Sequence, residues 1–266
     1  MSAAELTAAV LADDLRALGL GSGSRVLVHS SLRSVGRVER GPEGVVDSLL
    51  EAVGGDGLVL VPAFSYDNRS FDPAETPSRT GAVAEALRRR PEAVRSLHPF
   101  YSVAALGRGA AELCEGHELL PATAEGSPLD RLAAADGLVL LLGAGHTSNT
   151  TVHVGEFHAG ATYLDIPFDP SWPTEADVVV AGGPARRVSY DRFPGCSRAF
   201  GVVERGLRER SAVRDGQVGR ALAQLVPGRA VIEETVRLLQ ADPAALLCAD
   251  RVCHRCSRAR ARLGLL

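Results

Sequence analysis

Three histidines and a glutamate crowd into "LLLGAGHTSNTTVHVGEFHAG", residues 140–160: His146, His153, His158 and Glu156. With "GLVLLLGAG" as a strand and "SNTTVHVGEFHAGA" as the helix after it, Ser148 or Asn149 is the expected N-cap. Thr150, His153 and Glu156 then stand three apart in turn and project from neighbouring positions on one helix face. The positive end of a helix disfavours an imidazolium, and a general base has to start uncharged. Glu156 can hold the second ring nitrogen, with Asp191, at the end of "RRVSYD", as the other candidate partner. Thr150 and the free N–H groups of the helix start can donate to an oxygen that develops negative charge. This is a constellation for acyl transfer without a protein nucleophile. A zinc-protease helix fits less well, because His153 and His158 are five apart and off a common face.

The elements that must position these groups are legible as apolar runs. "RVLVHSSL" from Arg25, "GLVLVPAF" from Gly57 and "GLVLLLGAG" from Gly137 read as buried strands, and "PEGVVDSLLEAV" and "GAVAEALRRRP" as helices between them. Alternating strands and helices imply an α/β fold, a mixed central sheet with helices on both faces, whose site lies at the carboxyl ends of the strands. From Asp177 the pattern changes to a hairpin, "DVVVAGGPARRVSYD". After it "GQVGRALAQLV" reads as a helix and "GRAVIEETVRLLQADP" as a strand-to-helix segment, giving a C-terminal hairpin and helical portion. The polar loop from Ser65 to Ser78 is long enough to be a binding loop or lid. The 266 residues are expected to form a single domain with a cysteine-containing tail over about 244–266.

Composition excludes several chemistries. All 29 basic residues are arginine, so a Walker A loop, a Schiff-base lysine and a pyridoxal-phosphate site are absent. A net charge of −3 gives no general reason to bind nucleic acid. The longest apolar run is too short to cross a bilayer and the acidic, amphipathic N-terminus has no signal-peptide character. A cytoplasmic protein, monomer or homodimer, with no membrane partner is the expectation.

Four pieces, in order and spacing, resemble the aminoglycoside 3-N-acetyltransferase family, the antibiotic N-acetyltransferases distinct from the GNAT superfamily. They are "VLVHSSLRSVG", the stretch Leu58 to Gly107 including "FSYDNRSFDPAETPSRTG" and "HPFYSVAALG", then "GSPLDRL", and "LLLGAGHTSNTTVHVGE". The resemblance implies transfer of an acetyl group from acetyl-CoA to an amine, commonly the 3-amino group of a 2-deoxystreptamine ring. It places the family's helix histidine on His153 and its threonine on Thr150. It assigns coenzyme A contacts to His29, Ser30, Ser31, Leu32, Arg33, Ser34, Val35 and Gly36, and to His98, Ser102 and Val103. Asp67 matches an acidic position associated with the amino sugar, and Tyr66 and Asp72 lie in the same loop. "ATYLDIPFDPSW" from Ala161 departs from the family pattern, and its Asp165 and Asp169 leave the amine open. An acyltransferase for a non-antibiotic amine in a biosynthetic pathway and a non-catalytic, zinc-containing binding protein are the alternatives.

Five cysteines in such a chain do not read as a disulfide framework. Cys248, Cys253 and Cys256 form a C-x4-C-x2-C cluster, and Cys196 in "FPGCSRAF" could complete a structural zinc site, with His254 as alternate ligand. Unlinked reduced thiols are the simpler alternative. Cys114 reads as a helix residue facing the core. The arginine-rich tail could instead be a zinc knuckle on nucleic acid, but no aromatic residue is interleaved with its arginines.

Overall fold

The computed structural model describes all residues except 1–4, 67, 168, 180–182 and 266. Its strands are β1 (Arg25–Ser30), β2 (Leu58–Pro62), β3 (Ser70–Phe71), β4 (Val94–Arg95), β5 (Val103–Gly107), β6 (Leu138–Leu142), β7 (Glu175–Val178), β8 (Arg186–Ser189), β9 (Arg214–Val218) and β10 (Ala221–Pro227). The helices are α1 (Ala8–Leu18), α2 (Leu32–Val35), α3 (Pro42–Val53), α4 (Ala82–Arg88), α5 (Ala110–Cys114), α6 (Pro128–Ala134), α7 (Thr151–His158), α8 (Val203–Glu209), α9 (Gly228–Ala241) and α10 (His254–Arg262).

Seven strands form one mixed sheet in the order β4-β5-β2-β1-β6-β10-β9. β2, β1 and β6 run parallel at its centre, and the outer strands are antiparallel to their neighbours. The three central strands are the three apolar runs, and their Val and Leu side chains alternate between two cores as a period of two requires. Val26, Val28, Val59, Val61, Leu140 and Leu142 pack with residues of α1, α3 and α4 on one face. Leu27, Leu58, Leu60, Val139 and Leu141 pack with residues of α5, α6 and α7 on the other. The expected α/β class with helices on both faces is the observed one.

Two expectations change. "GQVGRALAQLV" is not a helix: its residues belong to β9, β10 and the turn between them. Ala221, Ala223 and Leu225 are buried at every second position, so the period is that of a strand, with Gly219 in a left-handed turn. β10 then leads directly into α9, which takes the whole of 228–241. The hairpin from Asp177 is present as β7 and β8, to which β3 adds in parallel. The long loop thus supplies a strand to a second, three-stranded sheet around Phe71, Val178 and Val188.

α7, which carries His153, crosses α9 at very close range. A Cβ on Gly155 would lie 2.4 Å from the Cβ of Thr235, so only glycine lets the two backbones approach this far. Among the described residues no helix is long and apolar enough to cross a membrane.

Candidate active site

A cavity of about 410 Å³ opens where the parallel strands end. His29 and Ser30 close β1, Pro62 closes β2, and Ala144 follows β6, so the cavity occupies the place expected for a site in an open α/β sheet. Thr147, Ser148, Asn149, Thr150 and His153 form its polar side, and Phe64, Tyr66, Tyr101, Trp172 and Phe200 its aromatic side.

His153 is 7% exposed and Glu156 1%, in the first turns of α7. The imidazole Nδ1 lies 2.6 Å from Glu156 Oε2, and the Tyr163 hydroxyl donates to Glu156 Oε1 at 3.0 Å. Burial, then the Glu156 charge, hold the Tyr163 phenol above its ordinary range, so it remains a donor. The Gly195 N–H points at the same His153 nitrogen from 3.1 Å. Nδ1 has one in-plane position, so it can donate to Glu156 or accept from Gly195, not both. The shorter contact to a carboxylate is the stronger, which leaves the lone pair on Nε2. Among the described residues no group hydrogen-bonds Nε2, and His153 faces the cavity. The Phe200 ring packs edge-on against the imidazole at 4.6 Å.

The helix start is arranged differently from the expectation. Its N–H groups are not free: Thr150 N donates to His29 Nε2 at 3.3 Å, Thr151 N to Asn149 Oδ1 at 3.1 Å, and His153 N to Thr150 O at 3.0 Å. Asn149 acts as the side-chain cap although the helix itself begins at Thr151. Of the expected donors, the Thr150 hydroxyl on the cavity wall is what remains for a developing oxyanion.

Asp191 is not brought to His153. It is exposed and lines a separate cavity with His158, whose Nε2 pairs with Asp130 at 2.8 Å. His146 is buried and bonded to Asn149. The three clustered histidines therefore have three different tasks, and they do not converge on a metal.

The expected coenzyme residues divide in the same way. His29 and Ser30 line the cavity. Ser31 caps α2, with Ser34 bonded to it at 2.8 Å, while Leu32 packs against the core, Val35 is buried in it, Arg33 is exposed and Gly36 ends the helix. His98 is buried, accepts the N–H groups of Phe100 and Tyr101, and stacks on Tyr190. Ser102 is buried against Ala63 O and Arg95, and Val103 is in the core. In this segment it is Tyr101 that reaches the cavity. Of the substrate candidates, Tyr66 lines the cavity, in a left-handed conformation with φ 61°. Asp72 spends its carboxylate on Ala74 N and Glu75 N, and Asp67 lies outside the described residues. Asp165 pairs with Arg262, and Asp169 bonds Ser171. Tyr101, Trp172, Tyr163, Gly195 and Phe200 carry no local signal that marks them in the sequence.

Burial lowers His29 to about 3, helped by His146, and lowers His117 to about 4. Unfolded, both bind a proton near the ordinary value of 6.5. Between those values the unfolded chain takes up protons that the folded one refuses, so stability present above about pH 6.5 is lost as the pH falls. Thermal unfolding followed from pH 7 to pH 4 should show a falling midpoint, and His117→Gln should flatten that fall. A midpoint independent of pH over this range would contradict the assignment.

Away from the cavity floor, the thiols of Cys196, Cys248, Cys253 and Cys256 are all buried, and their sulfurs lie within 4.8 Å of one another. Among the described residues this is the one group that could hold a metal ion. No cysteine is disulfide-bonded, and Cys114 is buried in α5.

The family model for aminoglycoside 3-N-acetyltransferase matches residues 27–240. Aminoglycoside N(3)-acetyltransferase IV of Salmonella sp is 36% identical over 242 residues, 90% of this chain and 89% of that protein. The crystal structure of aminoglycoside acetyltransferase AAC(3)-IVa, a histidine-to-alanine variant in complex with a gentamicin, shares 34% identity with a TM-score of 0.86 over 98% of this chain and 99% of that one. AAC-IIIb in a binary complex with CoASH matches with a TM-score of 0.76 and 27% identity, over 90% and 97% of the two chains. Sequence and fold agree over nearly the whole length, and the chain belongs to the aminoglycoside 3-N-acetyltransferase family of acyltransferases.

Proposed function

We propose that the protein transfers an acetyl group from acetyl-CoA to an amino group of an aminoglycoside or related amino sugar, directly and without an acyl-enzyme. The observation that carries this reading is the 2.6 Å contact of His153 Nδ1 with Glu156, which turns Nε2 and its lone pair toward the cavity. Nε2 takes the proton of the amine as its nitrogen bonds the thioester carbon, Glu156 stabilises the imidazolium that results, and when the C–S bond breaks the departing coenzyme A thiolate takes that proton. The Thr150 hydroxyl donates to the thioester oxygen as it becomes an oxyanion. Ser30 and Ser148 offer hydrogen bonds to the amides of a pantetheine chain. Tyr66, Tyr101 and Trp172 offer ring faces to a cationic amino sugar.

The cysteine cluster fits a structural zinc ion. Four thiolates at about 2.3 Å from zinc stand roughly 3.8 Å apart in a tetrahedron, compatible with the observed grouping. Four protein ligands leave no open position, so the ion would tie the tail to the Cys196 segment and take no part in the transfer.

Thiol release from acetyl-CoA, measured over a panel of 2-deoxystreptamine aminoglycosides and simple amino sugars, tests the reading. Turnover with at least one, and mass-spectrometric mapping of the new acetyl group to an amine nitrogen, is expected. Thiol release equal with and without any amine would refute it.

A further inference from the structure

α10 comes from the part of the chain beyond the residues matched by the family model, yet it sends a side chain to the back of the reactive pair. Arg255 is 1% exposed, the bulkiest of the fully buried side chains. Among the described residues no carboxylate forms an ion pair with it. Its two terminal nitrogens donate to backbone carbonyls, Nη1 to Ile166 O, and Nη2 to Phe193 O at 2.7 Å and Tyr163 O at 3.4 Å, while Nε has no partner among the described residues. Burying a cation on neutral acceptors costs free energy, so the interaction is a poor device for stability alone.

The segments it joins are the ones that touch His153 and Glu156. Tyr163 holds Glu156 through its hydroxyl, and Gly195, two residues beyond Phe193, sets its N–H against His153. That segment is pressed hard on the carboxylate: a Cβ on Gly195 would lie 2.7 Å from Glu156 Oε1. Phe193 N donates to Leu164 O at 2.6 Å, so Arg255 bridges the place where the two segments meet. Cys253 and Cys256 bracket Arg255 in the chain, and Cys196, whose sulfur lies within 4.8 Å of theirs, follows Gly195.

We propose that Arg255 is a positioning residue for the transfer reaction: from the C-terminal tail it clamps the Tyr163–Ile166 turn and the Phe193–Gly195 segment against Glu156, and so sets the aim of the His153 ring. This rests on the reading of His153 as the base. A planar fork that meets three carbonyls at once is specific to arginine, and lysine cannot reproduce it.

The test compares Arg255→Lys, Arg255→Met, Tyr163→Phe and the Arg255→Met/Tyr163→Phe double variant with wild type, per folded and equally metallated chain. Misaimed reacting groups cost on the order of 10- to 100-fold. Such a loss is expected in kcat for both Arg255 variants, with KM for acetyl-CoA within about 2-fold of wild type. The double variant should be little worse than the poorer single one, since both act through one junction.

Wild-type kcat in a folded Arg255→Lys or Arg255→Met protein, or losses that multiply in the double variant, would overturn the proposal. If Arg255→Met does not fold, Arg255→Lys decides by its kcat. Full turnover by His153→Ala would remove the base and this role with it. An inactive His153→Ala beside normal Arg255 variants would remove this role alone.

Discussion

His153→Ala should lower kcat by about a hundred- to ten-thousand-fold, the span covered by general acid–base catalysis. The ring is mostly enclosed, so alanine leaves a hole at the edge of the cavity without altering its far walls. KM for acetyl-CoA should therefore change little, and the loss should appear in the chemical step. The deficit should shrink as the pH rises, because an amine that is already neutral has no proton for Nε2 to remove before attack. Added imidazole should recover part of the rate for the same reason. Glu156→Gln is expected to fall between wild type and His153→Ala: it keeps a hydrogen-bond partner for Nδ1 but loses the charge that stabilises imidazolium. Steady-state thiol release across pH 6 to 9 measures all of these, and undiminished turnover by the alanine variant at every pH would reject the base.

The centre of the fold is readable in the sequence because the three parallel strands are buried on both faces, so they appear as unbroken Val and Leu runs. The β9–β10 hairpin mimics a helix because its Ala, Leu and Val residues also match a helical period over a short window, and strand pairing with β6 decides between them. β5 is hidden, since "VAALG" is too short and too rich in alanine to declare itself.

The site divides along the same line. His153 and Glu156 share one helix with Thr150 at its N-cap, and a three-residue spacing is enough to bring them to one face. Tyr163, Gly195 and Phe200 reach His153 only through tertiary packing, and nothing local announces them. The family motifs include segments that line the cavity, but not always the side chains that face it: in "HPFYSV" His98 and Ser102 build the turn that presents Tyr101. Nor does the sequence reveal that the N–H groups at the helix start are occupied, because His29 arrives from a strand more than a hundred residues earlier.

Cys256→Ser should strip the protein of bound zinc and lower its thermal midpoint by about 10 °C or more. Cys256 is fully buried, and its loss leaves three thiols and a harder, weakly donating hydroxyl. Zinc bound to four thiolates contributes on the order of 10 kcal/mol to a segment that has no site when unfolded. A chain of this size loses roughly 2–4 °C per kcal/mol, so surrendering even a few kcal/mol is readily seen. Cys196 adjoins Gly195 and Ser197 on the cavity wall, and turnover should therefore decline with the metal although no ligand position is open to substrate. Cys114→Ala serves as the contrast: its thiol lies 3.8 Å from Val94 O and is not part of the group of four, and the variant should keep its metal. Atomic absorption on the purified protein, with unfolding followed before and after a strong chelator, decides the matter. A protein that carries no zinc, and whose midpoint ignores both the chelator and the serine substitution, would show that the four thiols are merely packed together.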